Sequence, residues 1–273
     1  MTTWVNDRLV ADEAATVSVF DHGLTVGDGV FETLKAVGGV PFAVSRHVER
    51  LARSAAGLGL PEPDADRVRD AVAAVLEADG RDRLRIRITY TGGVAPLGSG
   101  RGDSPPTLVV AVAELGSWPA STAVATVPWP RNERGALAGL KTTSYADNVV
   151  ALAAAHAAGA GEAVLADTRG RLSEGTGSNV FLVLDGRLVT PSPATGCLAG
   201  ITRNLVLEWT DAREEDVPVE ALASADEVFL TSSTRDVQPV HAVDGRPVPA
   251  APGPVTRAVM AEFGRRSGAD ADP

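Results

Sequence analysis

Leu172-Ser-Glu-Gly-Thr-Gly-Ser-Asn-Val180 is the stretch on which the reading of this chain turns. One carboxylate, Glu174, stands among small residues and leads into an apolar run predicted as a strand over 179–184. Small side chains let something large and flat approach the backbone. Beside a pyridinium ring, a carboxylate would keep the ring nitrogen protonated and make the ring an electron sink. The alternative is an ordinary glycine-rich turn with a solvated glutamate. Upstream, the pattern predicts a strand over 162–167 and an alanine-rich helix over 145–158, with Lys141 just before it. Downstream come a short strand over 187–190, a helix after Gly200, a strand over 227–231, a last helix over 254–265 and a frayed tail from Ser267.

Two further patches flank that reading. In Thr195-Gly-Cys-Leu-Ala-Gly-Ile-Thr-Arg203 the glycine before Ile201 and Thr202 marks a helix start. Its N–H groups and the hydroxyl suit a phosphate, although Thr is equally a plain cap. Phe229-Leu-Thr-Ser-Ser-Thr-Arg-Asp-Val-Gln-Pro239 ends a strand in four consecutive hydroxyl residues, which suits an anion or an exposed turn alike.

Of the 25 basic residues only Lys35 and Lys141 are lysines. An arginine stays protonated, whereas a lysine amine can lose its proton and form a Schiff base. Lys141 sits between the apolar residues 136–140 and the predicted helix, a natural place for an imine-forming amine.

The first half reads as a strand over 3–10 and a hairpin over 29–44 turning at Gly38-Gly39. A helix capped by Ser45 then ends near Gly59, and a second helix covers 64–79. Strands over 83–91 and 108–113 follow, joined by a Gly/Pro/Ser-rich loop. Leu115-Gly-Ser-Trp-Pro-Ala-Ser-Thr122 reads as a linker. The fold class is therefore mixed α and β (α+β): a small N-terminal α/β domain over 1–115, a linker over 116–122 and a larger C-terminal domain over 123–273.

The 273 residues carry a formal charge of −10 and a pI near 4.9. That argues against nucleic acid, which needs cationic neutralisation of phosphates, and against an anionic membrane surface. No apolar run reaches the roughly 18 residues of a membrane span, and no secretory signal is visible. One cysteine, Cys197, permits no internal disulfide. These features lead to the expectation of a cytoplasmic globular protein. The four histidines lack zinc-ligand spacing, so no metal site is expected.

In combination the motifs are far more specific than any one of them. Lys141, the Leu-Ser-Glu-Gly block about thirty residues on, Gly-Ile-Thr-Arg203 and the hydroxyl cluster before Pro239-Val240 resemble the class IV pyridoxal 5′-phosphate-dependent aminotransferases. Val26-Gly-Asp-Gly-Val-Phe-Glu-Thr-Leu34 and His47-Val-Glu-Arg-Leu51 are similar to that family's N-terminal motifs, and the likeness spans about 6–240. The resemblance implies the fold type IV architecture with a pseudo-barrel β core. It implies pyridoxal 5′-phosphate as cofactor, held as a Schiff base on Lys141, with Glu174 on the pyridine nitrogen. Arg50 would clamp the phosphate, with Ile201, Thr202, Ser233 and Thr234 completing its site. It further implies amino-acid and keto-acid substrates, and a homodimer with active sites at the interface.

Substrate choice rests on fewer residues. Alternation puts Phe31, Thr33 and Lys35 on one strand face. Lys35 is then either a substrate-side cation or a solvent-facing residue. The D-amino-acid and branched-chain members typically carry Tyr where this chain has Phe31, so a carboxylate-binding hydroxyl is missing. Arg101, in Gly98-Ser-Gly-Arg-Gly102, offers a replacement, reaching into a neighbouring subunit's site. The expected activity is ping-pong transamination of D-amino acids, with tolerance for (R)-amines. 4-Amino-4-deoxychorismate lyase is the alternative, and branched-chain L-amino-acid transamination ranks below it. A non-catalytic relative would be expected to lack Lys141 or Glu174, and both are present.

Overall fold

A computed structural model describes residues 2–273 and divides them into two compact units. The first unit runs to Gly116 and takes in Leu140–Ser144 and Ala271–Pro273; the second comprises Ser117–Gly139 and Tyr145–Asp270. Two pieces expected in the C-terminal domain, one of them carrying Lys141, thus belong to the first unit. The reason is main-chain pairing of 141–143 and side-chain pairing of 272, described below.

The first unit holds β1 (Thr2–Val5), β2 (Arg8–Ala11), α1 (His22–Thr25), β3 (Gly29–Val37), β4 (Val40–Pro41), α2 (Val44–Leu58), α3 (Ala65–Asp79), β5 (Arg83–Thr91) and β6 (Thr107–Glu114). Its strands form one antiparallel sheet in the order β2-β1-β6-β5-β3-β4. The single strand expected over 3–10 is a hairpin, because Asn6 and Asp7 take positive φ and turn the chain. Even-numbered residues of the central strands, among them Val30, Leu34, Ile86, Ile88, Leu108 and Val110, pack against Val48, Leu51, Val68, Val72 and Val75 of α2 and α3. Odd-numbered residues of β3 and β5 lie on the opposite face, where Thr33 pairs with Arg87 and Lys35 with Arg85.

The second unit holds β7 (Thr122–Thr126), α4 (Ala146–Ala157), β8 (Glu162–Ala166), β9 (Leu172–Gly175), β10 (Asn179–Leu184), β11 (Arg187–Thr190), α5 (Ile201–Trp209), β12 (Arg213–Glu214), β13 (Glu227–Ser232), β14 (Asp236–Val243), β15 (Arg246–Pro247) and α6 (Pro254–Ala269). Its nine-stranded sheet, β12-β11-β10-β13-β14-β7-β8-β9 with β15 on β14, curls into a half-barrel. The continuous apolar run of β10 follows from burial on both faces. Val180 and Leu182 join one core cluster, while Phe181 stacks on Phe229 with ring centroids 4.8 Å apart. The tail expected to fray from Ser267 is ordered: α6 continues to Ala269, and the next residues pair with α2.

Candidate active site

Lys141 is held through its main chain. Its carbonyl accepts the Phe31 N–H at 2.9 Å, the Thr143 N–H donates to the Gly29 carbonyl at 2.8 Å, and Val30 bridges Thr142. The Lys141 N–H donates to the Ser54 hydroxyl on α2 at 3.2 Å. Gly57, one turn further along α2, admits the Leu140 side chain; a Cβ there would sit 2.6 Å from Leu140 Cδ2. Sheet edge and helix together fix the amine, whose Nζ lies 4.4 Å from the centroid of the buried Phe31 ring. The Arg87 guanidinium carbon lies 3.3 Å from the same centroid.

Arg50 is oriented from the helix-facing side of the sheet. Glu32 is fully buried, and its carboxylate accepts from Arg50 Nε at 2.8 Å and Nη2 at 2.7 Å. His47 Nδ1 lies 2.7 Å from the same carboxylate and donates to it, since an ionised carboxylate only accepts. Burial works to raise the Glu32 pKa, but the charge and hydrogen bonds of Arg50, joined by the hydrogen bond from His47, outweigh it and hold the group far below the usual carboxylate range. For His47 burial dominates and lowers the pKa; Glu32 opposes this, and the charges of Arg50 and Lys141 reinforce it.

The remaining first-unit candidates divide. Thr33 and Lys35 share the Phe31 face, and Lys35 Nζ rests 5.2 Å from the Phe42 ring. Arg101 is engaged within its own chain. It donates to both Asp28 oxygens, at 2.7 and 2.6 Å, and to the carbonyls of Leu58 and Gly59. The Arg101 hydrogen bonds are the leading cause of a lowered Asp28 pKa. In this arrangement Arg101 ties its loop to α2 and β3, a placement that differs from the expected substrate contact.

In the second unit Glu174 lies on β9, so the glycine-rich turn is a strand edge. Its carboxylate accepts the Leu198 N–H at 2.9 Å and pairs with Arg131 Nε at 3.1 Å. Arg131 is steadied through Asn148 Oδ1 at 3.2 Å. Cys197, next to Leu198, is pushed up to about 11, first by burial and then by the Glu174 charge, so its thiol stays protonated.

The helix start at α5 has Gly200 as N-cap with no side-chain acceptor on its N–H groups, and Ile201 and Thr202 are buried there. A Cβ at Gly200 would overlap the Asn179 amide oxygen. Ser233 and Thr234 form the turn between β13 and β14. Arg235, the next residue, pairs at 2.7 Å with the buried Glu162 and stacks on Trp118 at 4.2 Å. Among the described residues no group of three His, Cys, Asp or Glu could hold a metal, and no helix is long and apolar enough to cross a membrane.

Sequence reasoning gave no role to Glu32, Arg87 or Arg131. A signal existed for Glu32, which stands on the apolar face of β3 between Val30 and Leu34; a buried carboxylate there demands a cation. Arg87 was one of several alternating β5 arginines, and nothing in the spacing singled it out.

Comparison with known proteins closes the question of class. The family model for amino-transferase class IV matches residues 29–243, and the chain belongs to that family. A putative branched-chain-amino-acid aminotransferase from Methanocaldococcus jannaschii is 35% identical, covering 90% of this chain and 89% of the relative. A D-alanine aminotransferase from Staphylococcus haemolyticus is 32% identical over 96% of both chains. Among solved structures, a hypothetical aminotransferase from Mycobacterium tuberculosis, in its PLP-bound form, superposes with a TM-score of 0.86. Its identity is 28%, and the match covers 97% of this chain and 98% of that one. The fold type IV architecture, the family resemblance read from the motifs and pyridoxal 5′-phosphate as cofactor are all borne out.

Proposed function

We propose that this class IV aminotransferase uses pyridoxal 5′-phosphate on Lys141 to move the amino group of a D-amino acid of the alanine type to a 2-keto acid. When bound, the cofactor supplies an aldehyde that condenses with amines and a ring that withdraws electrons. The donor set fits such a molecule. The second unit offers a helix start without its own acceptor, a turn of hydroxyls and a carboxylate backed by Arg131. The first offers a positioned amine and an arginine oriented by a buried glutamate. As the family resemblance implies, Ile201, Thr202, Ser233, Thr234 and Arg50 would hold the phosphate, and Glu174 would accept a hydrogen bond from the protonated ring nitrogen.

The observation that carries the reading is the stack at Phe31. An amine able to take and return the substrate's α-proton stands over the same ring as the Arg87 guanidinium. Arg87 binds the substrate carboxylate, in place of the hydroxyl that Phe31 lacks and of Arg101, whose donors are occupied. Lys35 and Thr33 lie further along that face, on the side-chain end of the substrate. The D-preference is supported by the D-alanine aminotransferase relative and by Lys141-Thr-Thr-Ser-Tyr145, which differs from the branched-chain pattern. The Methanocaldococcus relative favours a second reading, branched-chain L-amino acids. Cytoplasmic location and a homodimer complete the proposal.

The test mixes the holoenzyme separately with D-alanine, L-leucine and (R)-1-phenylethylamine and follows the absorbance of the bound cofactor. Conversion by D-alanine and not L-leucine is expected, and Lys141→Ala lowers the rate by at least about 10³-fold. Conversion by L-leucine alone replaces the D-reading with the branched-chain one. No conversion by any amine, with pyruvate and 4-aminobenzoate formed from aminodeoxychorismate, makes the chain a lyase.

A further inference from the structure

Helix α2 begins badly by its own sequence. Its N-cap is Ala43, which offers no side-chain acceptor and sits at φ 54°, a left-handed conformation that costs a residue with a Cβ about 1 kcal/mol. No acidic residue lies in the first turn, so nothing local answers the positive end of the helix dipole. Ser45, the residue expected to cap, is already inside the helix.

The missing groups come from the far end of the chain. The Asp272 carboxylate accepts the Ser45 N–H at 2.8 Å through one oxygen and the Ser45 hydroxyl through the other. The Ala43 N–H donates to the Ala271 carbonyl at 2.6 Å, and Arg46 Nε donates to the main-chain oxygen of Pro273 at 2.6 Å. Four consecutive residues at the helix start, 43 to 46, therefore contain three that are tied to 271–273. The next residue is His47, and one turn on is Arg50; Ser54 and Gly57, further along, seat the Lys141 segment.

We propose that residues 271–273 are a remote N-cap for α2, and that Asp272 is thereby a positioning residue for the anion held by Arg50. This rests on the reading of Arg50 as a phosphate ligand. The clasp supplies the anion that the helix start lacks. It keeps the first turn wound, so that His47 and Arg50 meet Glu32 in one register. Losing it frays that turn and leaves the rest of α2 packed on the sheet, because Val48, Leu51 and Ala55 stay in the core.

The experiment titrates the full-length apoprotein with pyridoxal 5′-phosphate and, separately, with pyridoxal, which lacks the phosphate. Hydrogen exchange is measured at the amides of Ser45–His47. Asp272→Ala is expected to raise the Kd for the phosphorylated cofactor about fivefold, a share of a typical cap's worth. It leaves the pyridoxal Kd unchanged and speeds exchange in the first turn. Asp272→Asn, which retains an acceptor, stays within about twofold of wild type. Ser45→Ala keeps the bond to the main chain, is expected to move the Kd about twofold, and is the variant to read if Asp272→Ala does not fold.

Arg50→Lys runs in parallel. If it does not change the ratio of the two affinities, the phosphate reading of Arg50 fails and takes this proposal with it. If Arg50→Lys changes the ratio but Asp272→Ala moves both ligands equally, or neither, the positioning role alone is overturned.

Discussion

Helices α5 and α6 of the second unit start alike and are completed differently. Each has glycine as N-cap, Gly200 and Gly253, and neither cap residue has a side chain to offer. At α6 the chain brings its own anion. The Glu227 carboxylate, from β13, accepts the Val255 N–H at 3.0 Å and the Thr256 N–H at 2.7 Å. At α5 the neighbouring side chain is Asn179, whose amide donates elsewhere, to the Leu198 carbonyl at 2.8 Å. A helix start that serves only the fold can be closed by a carboxylate of the chain; one that takes a ligand's anion, as proposed for α5, must keep its donors open. At α2 the two kinds meet: the buried Glu32 carboxylate belongs to the fold and takes His47 and Arg50, and it orients the arginine proposed for the phosphate.

The contrast fails or holds on whether closed groups move stability and open ones move affinity. The largest effect is expected at Glu32. Glu32→Ala strands a buried arginine and should cost about 3–5 kcal/mol in urea denaturation of the apoprotein. Glu227→Ala unpairs two N–H groups at the α6 start and should cost about 2 kcal/mol, with the cofactor Kd of the remaining folded protein unchanged. If Glu227→Ala weakened cofactor binding as strongly as stability, the two helix starts would not be of different kinds.

Next in size is Thr202→Val, which keeps the shape of the side chain and removes its hydroxyl. It should raise the cofactor Kd about tenfold, the worth of one hydrogen bond to a charged group. Apoprotein stability should hold within about 0.5 kcal/mol. A stability loss like that of Glu227→Ala would make α5 a structural helix start and remove the main support for a phosphate there.

How much of this was legible in the sequence depends on range. Local pattern located β3, β5 and α3 by periodicity, β10 by its apolar run and α5 by the glycine before it, and α3 has its own cap at Asp64. The short strand β9 escaped, since Gly175 and Gly177 make its neighbourhood look like a turn and only pairing with β8 makes it a strand. The start of α2 was misread for the same reason. Ser45 is a good cap by composition, yet the acceptor that counts lies 227 residues away. The proposed site residues follow that rule too. Lys141, Glu174 and Thr202 sit in motifs, whereas Arg87 acquires meaning only through the register that sets it over Phe31.

The smallest effect probes the closed cluster through pH. His47 is buried and its pKa is lowered from 6.5, so the native imidazole stays neutral where the unfolded chain takes up a proton. As pH falls through 6.5 the unfolded state then binds more protons than the native one, and stability must drop; above 6.5 this contribution is flat. Each unit of depression removes about 1.4 kcal/mol once the pH is below both values. Glu32 adds to the loss only lower down, as pH falls below the ordinary 4.5 of a glutamate, because its native pKa is depressed as well. Apoprotein stability should therefore fall in two stages, the first beginning near pH 6.5. His47→Gln keeps a donor for Glu32 but cannot titrate. It should lose the first stage, showing no slope from about pH 7.5 to about 5.5, and keep the second. An unaltered first stage in that variant would assign the acid sensitivity to another group and leave the cluster around Glu32 without its predicted signature.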